Sequence, residues 1–192
     1  MGNYAAKNLD YGCFTTTGLN FNIEGAWFFL PYLGIGGQLG VNIHPVDVQS
    51  LGWERVQADP FLEDVTIRSD SYQMITGALG LYAQWGFWKN LSLQGKLLGG
   101  VMWGKSPYQL HKPTYFLVET KWFEITSARD RNLAVIAGAG LQYDISRCIG
   151  LKLSGDYTFS KMVFGFRSAG ETRYENRDIG FVNVALGLVI IL

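Results

Sequence analysis

Four ionisable residues, Glu24, Lys96, Lys152 and Asp156, sit inside stretches that are otherwise apolar, glycine-rich or uncharged. Two acids and two bases enclosed in one low-dielectric space must either line a conducting pore or neutralise one another as a plug. The uncharged polar residues that share their positional parity, Gln38, Gln84, Gln94 and Gln142, can hydrogen-bond with them. The other candidates are weaker. Neither His44 nor His111 has Cys, Asp or Glu at metal-ligand spacing, so no metal or cofactor is expected. "GIGGQLG" (34 to 40) has the text of a phosphate loop, but a strand pattern continues through it where a dinucleotide loop must open a helix.

The elements that carry these residues alternate with period two. In "GLYAQWGFWKNLSLQGKLLGG" (80 to 100), the residues Leu81, Ala83, Trp85, Leu91, Leu93 and Leu97 take odd positions, and Gln84, Gln94 and Lys96 take even ones. "FWKN" between the runs is a short connection, so the stretch is a β-hairpin. The pattern recurs at 21–43 and 133–159, and one further alternating run ends the chain. Seven strands are expected at roughly 18–29, 33–43, 72–86, 91–104, 132–143, 149–160 and 179–192. In the last strand the parity shifts, with Val182, Val184, Leu186, Leu188, Ile190 and Leu192 outward.

Which face is dry follows from where the charges are. The chain carries 16 basic and 16 acidic residues, and the four named above are the only ones inside the strand spans. A soluble barrel needs a charged exterior, and these strands offer none. Their even face is small or uncharged polar (Asn20, Asn22, Gly34, Gly36, Gln38, Gly40, Asn42), which suits a narrow interior. Their odd face (Leu19, Phe21, Ile23, Leu33, Ile35, Leu39, Leu79, Leu81, Leu93, Leu97) would be an intolerably large apolar patch in water, but it is the required surface in lipid. A helical span is a poor alternative. From Gly25 to Val46 the chain has no formal charge, yet Pro31, five glycines, Gln38 and Asn42 interrupt it. Zero net charge and a pI near 6.7 give no reason to expect nucleic acid.

Short connections (30–32, 87–90, 144–148) alternate with long ones (44–71, 105–131, 164–178), which predicts periplasmic turns and outer loops respectively. Aromatic residues cluster at both ends. Trp27, Phe29, Trp85, Phe87, Trp88 and Tyr143 lie near the short turns, and Tyr72, Trp103, Phe159 and Phe181 near the long loops, as two membrane-interface girdles. "VTIRSDSYQ" and "YFLVETKWFEIT" also alternate, so strands are expected to extend into the outer loops.

The hairpin pattern, the loop asymmetry and the repeated phrases "LSLQGKLLGG" and "IGLKLSGDY" resemble those of the small outer-membrane β-barrel proteins of Gram-negative bacteria, OmpA-like or OmpX-like and often called porin-family barrels. The resemblance covers residues 18 to 192. It implies an all-β, antiparallel, up-and-down transmembrane barrel of eight strands, with seven visible here and the first upstream, in the bacterial outer membrane. Members usually end in an aromatic residue, whereas this chain ends in Leu192. Residues 1–17 hold no charged-then-apolar signal peptide and no convincing membrane strand, and are assigned to the tail of a first outer loop, with an irregular short strand within 3–14 as the alternative, leaving 18–192 as the barrel domain.

Outer-membrane lipid and the assembly machinery are the partners so implied, and the long loops offer a surface for an extracellular ligand. A small barrel has little interior space beyond its own side chains. A non-enzymatic structural or surface-interaction protein with a plugged lumen is therefore expected, with a small porin-like channel as the first alternative. The second is a lipid A-modifying enzyme, since some small barrels of this kind use a rim histidine and only His44, beside Pro45 and Asp47, could start such a site. Cys13 and Cys148 fall at opposite ends of the barrel, too far apart to bridge.

Overall fold

The computed structural model describes residues 14–115, 121–168 and 171–191. Seven strands form one antiparallel sheet: β1 (Leu19–Leu30), β2 (Leu33–His44), β4 (Tyr72–Trp88), β5 (Leu91–Lys105), β8 (Arg129–Asp144), β9 (Ile149–Ser168) and β10 (Glu171–Ile190), each beside the next. All seven expected strands are present. The sheet curls into a half-barrel, and side chains from its first and sixth strands meet inside it: Lys152 on β9 touches Glu24 on β1.

Register explains the parity of the last strand. In the first six strands even residues pair with even, as in Gln38↔Ala78, Gln84↔Gln94 and Gln142↔Lys152, so one parity faces inward throughout. The β9–β10 ladder pairs even with odd, as in Asp156↔Asn183, so odd residues of β10 share the inner face. The connections at the short-turn end are tight. β1 and β2 are separated by Pro31 and Tyr32, and bulges at Phe28/Leu30 and Gly86/Trp88 sit beside two of these turns.

At the other end, two of the expected long loops carry structure of their own. Helix α1 (Val48–Ala58) begins at Asp47, whose carboxylate accepts from the Ser50 backbone N–H (3.1 Å) and hydroxyl (2.7 Å). It packs through Gly52 against Val65 and Ile67 of β3 (Leu62–Ser69). With β6 (Gln109–Tyr115) and β7 (Phe123–Ile125), β3 makes a second antiparallel sheet, in the order β3-β6-β7. The expected strand extensions therefore include a small separate sheet. The third long loop, 164–178, is a correction: β9 continues to Ser168 and β10 starts at Glu171, with Ser168 and Glu171 paired. β9 and β10 stay paired well past the β8–β9 ladder, which ends at Ala134↔Ser160. Asp130 accepts from the Val163 N–H at 2.7 Å just beyond that point.

The interior is layered. Toward the long-loop end, Tyr72, Met74, Met102, Ala134, Met162, Phe164, Ile179 and Phe181 form a buried apolar cap. A second cluster, Ala78, Tyr82, Leu98 and Ile136, is joined by Phe28. Polar side chains fill the remainder.

Candidate functional site

The lumen charges meet at one point because three strands, β1, β5 and β9, aim them there. Lys96 on β5 reaches Glu24 Oε2 on β1 and Asp156 Oδ2 on β9, each at 2.8 Å, and Lys152 Nζ contacts Glu24 Oε1. The order is thus Lys152–Glu24–Lys96–Asp156, with acid and base alternating. Asp156 also accepts from Gln38 Nε2 at 3.4 Å, and the Tyr82 hydroxyl donates to Glu24 at 3.5 Å. Gly138, paired with both Lys96 and Asp156, makes room for the cluster: a Cβ there would collide with Asp156 Oδ1 and Lys96 Cε.

Three glutamines form a ladder nearer the short turns. Gln94 Nε2 donates to Gln142 Oε1 at 2.7 Å and to Gln84 Oε1 at 3.4 Å, and Gln142 Nε2 donates to Asp144 Oδ1 at 2.7 Å. Gln84 also donates to the Ser92 hydroxyl. All eight polar residues expected in the lumen thus lie on its inner face. Three pairs of opposite charge and mutually bonded amides leave the cluster electrically balanced. Chemically this arrangement ties β1, β5 and β9 together across the interior.

The expected aromatic girdles divide. Trp27, Phe29, Trp85, Phe87, Trp88 and Tyr143 are exposed at the short-turn end, and Trp103 is exposed at the other. Phe159 has outward parity and is half-buried. Tyr72 and Phe181, at 8% and 2% exposure, lie in the apolar cap and not at the interface. Their parity is the reason, since Tyr72 is an even residue of β4 and Phe181 an odd residue of β10. Tyr157, exposed on the outer face, was missed although its odd position on β9 marks it.

Between the girdles the outer face is apolar on every strand. Ile23 is 78% exposed, Leu79 75% and Leu186 74%, with Leu39, Leu97, Leu133, Val184 and Leu188 also exposed. Charged outward residues in this sheet, such as Arg129, Arg131, Lys161 and Asp178, fall beyond that belt at the long-loop end.

The histidines occupy structured ground. His44 closes β2 and packs on Phe181, with ring centroids 5.4 Å apart. Asp47, its candidate acidic neighbour, caps α1, and Ser50 holds its carboxyl below the usual range. His111 on β6 is fully buried, stacked on Phe123, with Nε2 donating to Gln109 Oε1 at 3.0 Å. Burial, and then the charge of Arg55, lower its pKa to about 4. Among the described residues no group of three His, Cys, Asp or Glu could hold a metal ion. Cys148 is exposed in the 145–148 turn, and Cys13 lies outside the described residues.

No protein-family model matches the chain, and no curated protein matches it in sequence. Among solved structures it is similar to the crystal structure of Ail, the attachment invasion locus protein of Yersinia pestis. The TM-score is 0.44 at 15% identity, covering 88% of this chain and 79% of that one.

Proposed function

We propose that this chain is an integral β-barrel protein of a bacterial outer membrane, with a plugged lumen and an outer subdomain that serves as an interaction surface. The observation that carries the reading is the continuous exposed apolar belt, framed by exposed aromatics at the short-turn end and by charges at the long-loop end. Roughly eleven residues per strand, rising about 3.3 Å each and tilted about 40°, give a belt on the order of 25 Å tall, which matches a hydrocarbon layer. In water the same belt would be an aggregation surface.

The role is non-enzymatic. The lumen's charges face one another, and the cap of Met74, Met102, Met162, Phe164 and Phe181 lies between the ionic cluster and the outer end. What remains accessible outside is the α1–β3–β6–β7 unit, with Trp53 and Phe61 exposed. Density-gradient fractionation of Gram-negative cells producing the protein behind a secretion signal tests the reading. Recovery in the outer-membrane fraction, with a band that shifts on heating before electrophoresis, is expected. Recovery as soluble periplasmic protein would overturn it.

A further inference from the structure

One face of helix α1 carries side chains that its packing does not use. Gly52 is the buried residue of the helix, set against Val65 and Ile67 of β3, whereas Gln49, Ser50, Trp53, Glu54 and Gln57 are exposed. At about 100° per residue these five project from the side away from Gly52. Together with Phe14 they line an open cleft of about 550 Å³, within the size range of small-ligand sites. Phe14 is fixed at the head of the helix: its carbonyl accepts from the Asp47 N–H at 3.1 Å, and the next residue, Thr15, bridges Val46.

Spacing along the helix sets the pattern of the cleft. Gln49, Trp53 and Gln57 are four residues apart, so they make one stripe with an amide about 6 Å to either side of the indole. Trp53 is 69% exposed. Among the described residues, the side chains of Gln49, Trp53, Glu54 and Gln57 have no hydrogen bond, ion pair or ring contact.

The occupant must match an apolar ring bordered by neutral hydrogen-bonding groups. A partner helix needs a run of apolar anchors at helical spacing, and here glutamines stand on both sides of the single aromatic residue of the stripe. An anion meets the Glu54 carboxylate, and at the head of the helix Asp47 already takes up the Ser50 N–H. A pyranose ring meets neither obstacle. Its C–H face packs on an indole, and its rim hydroxyls both donate and accept, as two primary amides and a carboxylate require.

We propose that the Trp53 cleft binds a neutral oligosaccharide, with one sugar ring stacked on the indole between Gln49 and Gln57. Glu54 accepts from the sugar hydroxyls, and Phe14 supplies a second apolar wall. The site rests on the reading of the α1–β3–β6–β7 unit as the accessible outer surface, and it gives that surface a ligand class.

One experiment separates the two readings. The protein is folded into phosphatidylglycerol vesicles and scored for flotation. It is also placed in nanodiscs of the same lipid, open to solvent at both ends, and titrated with maltotetraose, cellotetraose, chitotetraose and choline under saturation-transfer NMR. Protein that fails to float is titrated as the soluble chain. Transfer to the sugar C–H protons of at least one tetrasaccharide is expected. Trp53→Ala should weaken that binding about tenfold, and Gln49→Ala with Gln57→Ala should weaken it with the indole intact. Glu63→Gln, at an exposed position of β3 outside the cleft, should leave it unchanged.

Flotation with no transfer to any tetrasaccharide would overturn the cleft and leave the membrane reading standing. Sugar binding that persists in Trp53→Ala would place the sugar elsewhere, and choline bound more tightly than every sugar would make the cleft a cation site; either overturns the proposal. Sugar binding by a chain that does not float would overturn the membrane reading alone. A chain that neither floats nor binds would overturn both.

Discussion

Lys96 and Glu24 are each bonded to two opposite charges, but the Lys96 side chain is 5% exposed against 24% for Glu24, so the loss of Lys96 should be felt more. Removing one member of a buried ion pair strands the other, at a cost of about 3–5 kcal/mol, whereas removing both can be nearly neutral. Lys96→Met should therefore destabilise the protein strongly. Adding Asp156→Asn should recover part of the loss, because Glu24 keeps Lys152 while Asp156 has no other ion-pair partner among those described. Chemical denaturation of the single and double variants reads the coupling, and strictly additive losses would remove the shared network. Gly138→Val should cost about 1–3 kcal/mol by overpacking the same cluster.

At the scale of the element, the outer subdomain has its own pH response. His111 titrates near 4 in the folded state and near its ordinary 6.5 when unfolded. Between those values the unfolded chain binds the proton and the folded one does not, so stability falls as pH drops from about 6.5 to about 4 and is independent of this group above that window. The shift corresponds to about 3 kcal/mol at most. His111→Phe should flatten the response of the α1–β3–β6–β7 unit, seen as Trp53 and Trp122 fluorescence across pH 4 to 7. An unchanged profile would assign the pH dependence elsewhere. Orientation is tested at the same scale: trypsin added to intact cells should cut at exposed Lys121 and spare exposed Lys89 in the short turn, and cleavage confined to Lys89 would invert the topology.

What the sequence showed, and what it hid, also sorts by element. The seven strands of the large sheet were legible because an apolar outer face and a polar, narrow inner face impose a strict period of two. Helix α1, "VQSLGWERVQA", has no apolar stripe, and only Gly52 is buried, so it left no helical period to find. The ladder β3–β6 was half visible, since its packed residues Val65 and Ile67 alternate while Pro113 and Lys112 break the partner strand's pattern. In the lumen, charges and amides were found by parity alone. The apolar cap was not, because Tyr72, Met102 and Phe164 sit at inward positions where only polar residues were sought.

For the whole molecule, the belt and the layered lumen make the proposal's central claim: a lipid-facing exterior, and an interior filled by side chains. Planar-bilayer recordings should accordingly show no steady conductance in the unmodified protein, and stable openings would favour the channel alternative. The belt is tested most directly by the free energy of folding into lipid vesicles for Leu79→Arg, compared with Phe61→Arg on the outer subdomain. Both side chains are highly exposed, at 75% and 80%, so a soluble fold would treat the two substitutions alike. The account predicts a loss of about 2–4 kcal/mol for Leu79→Arg, as for a cation near the bilayer midplane, and a change within about 0.5 kcal/mol for Phe61→Arg. Equal, small effects at both positions would contradict it.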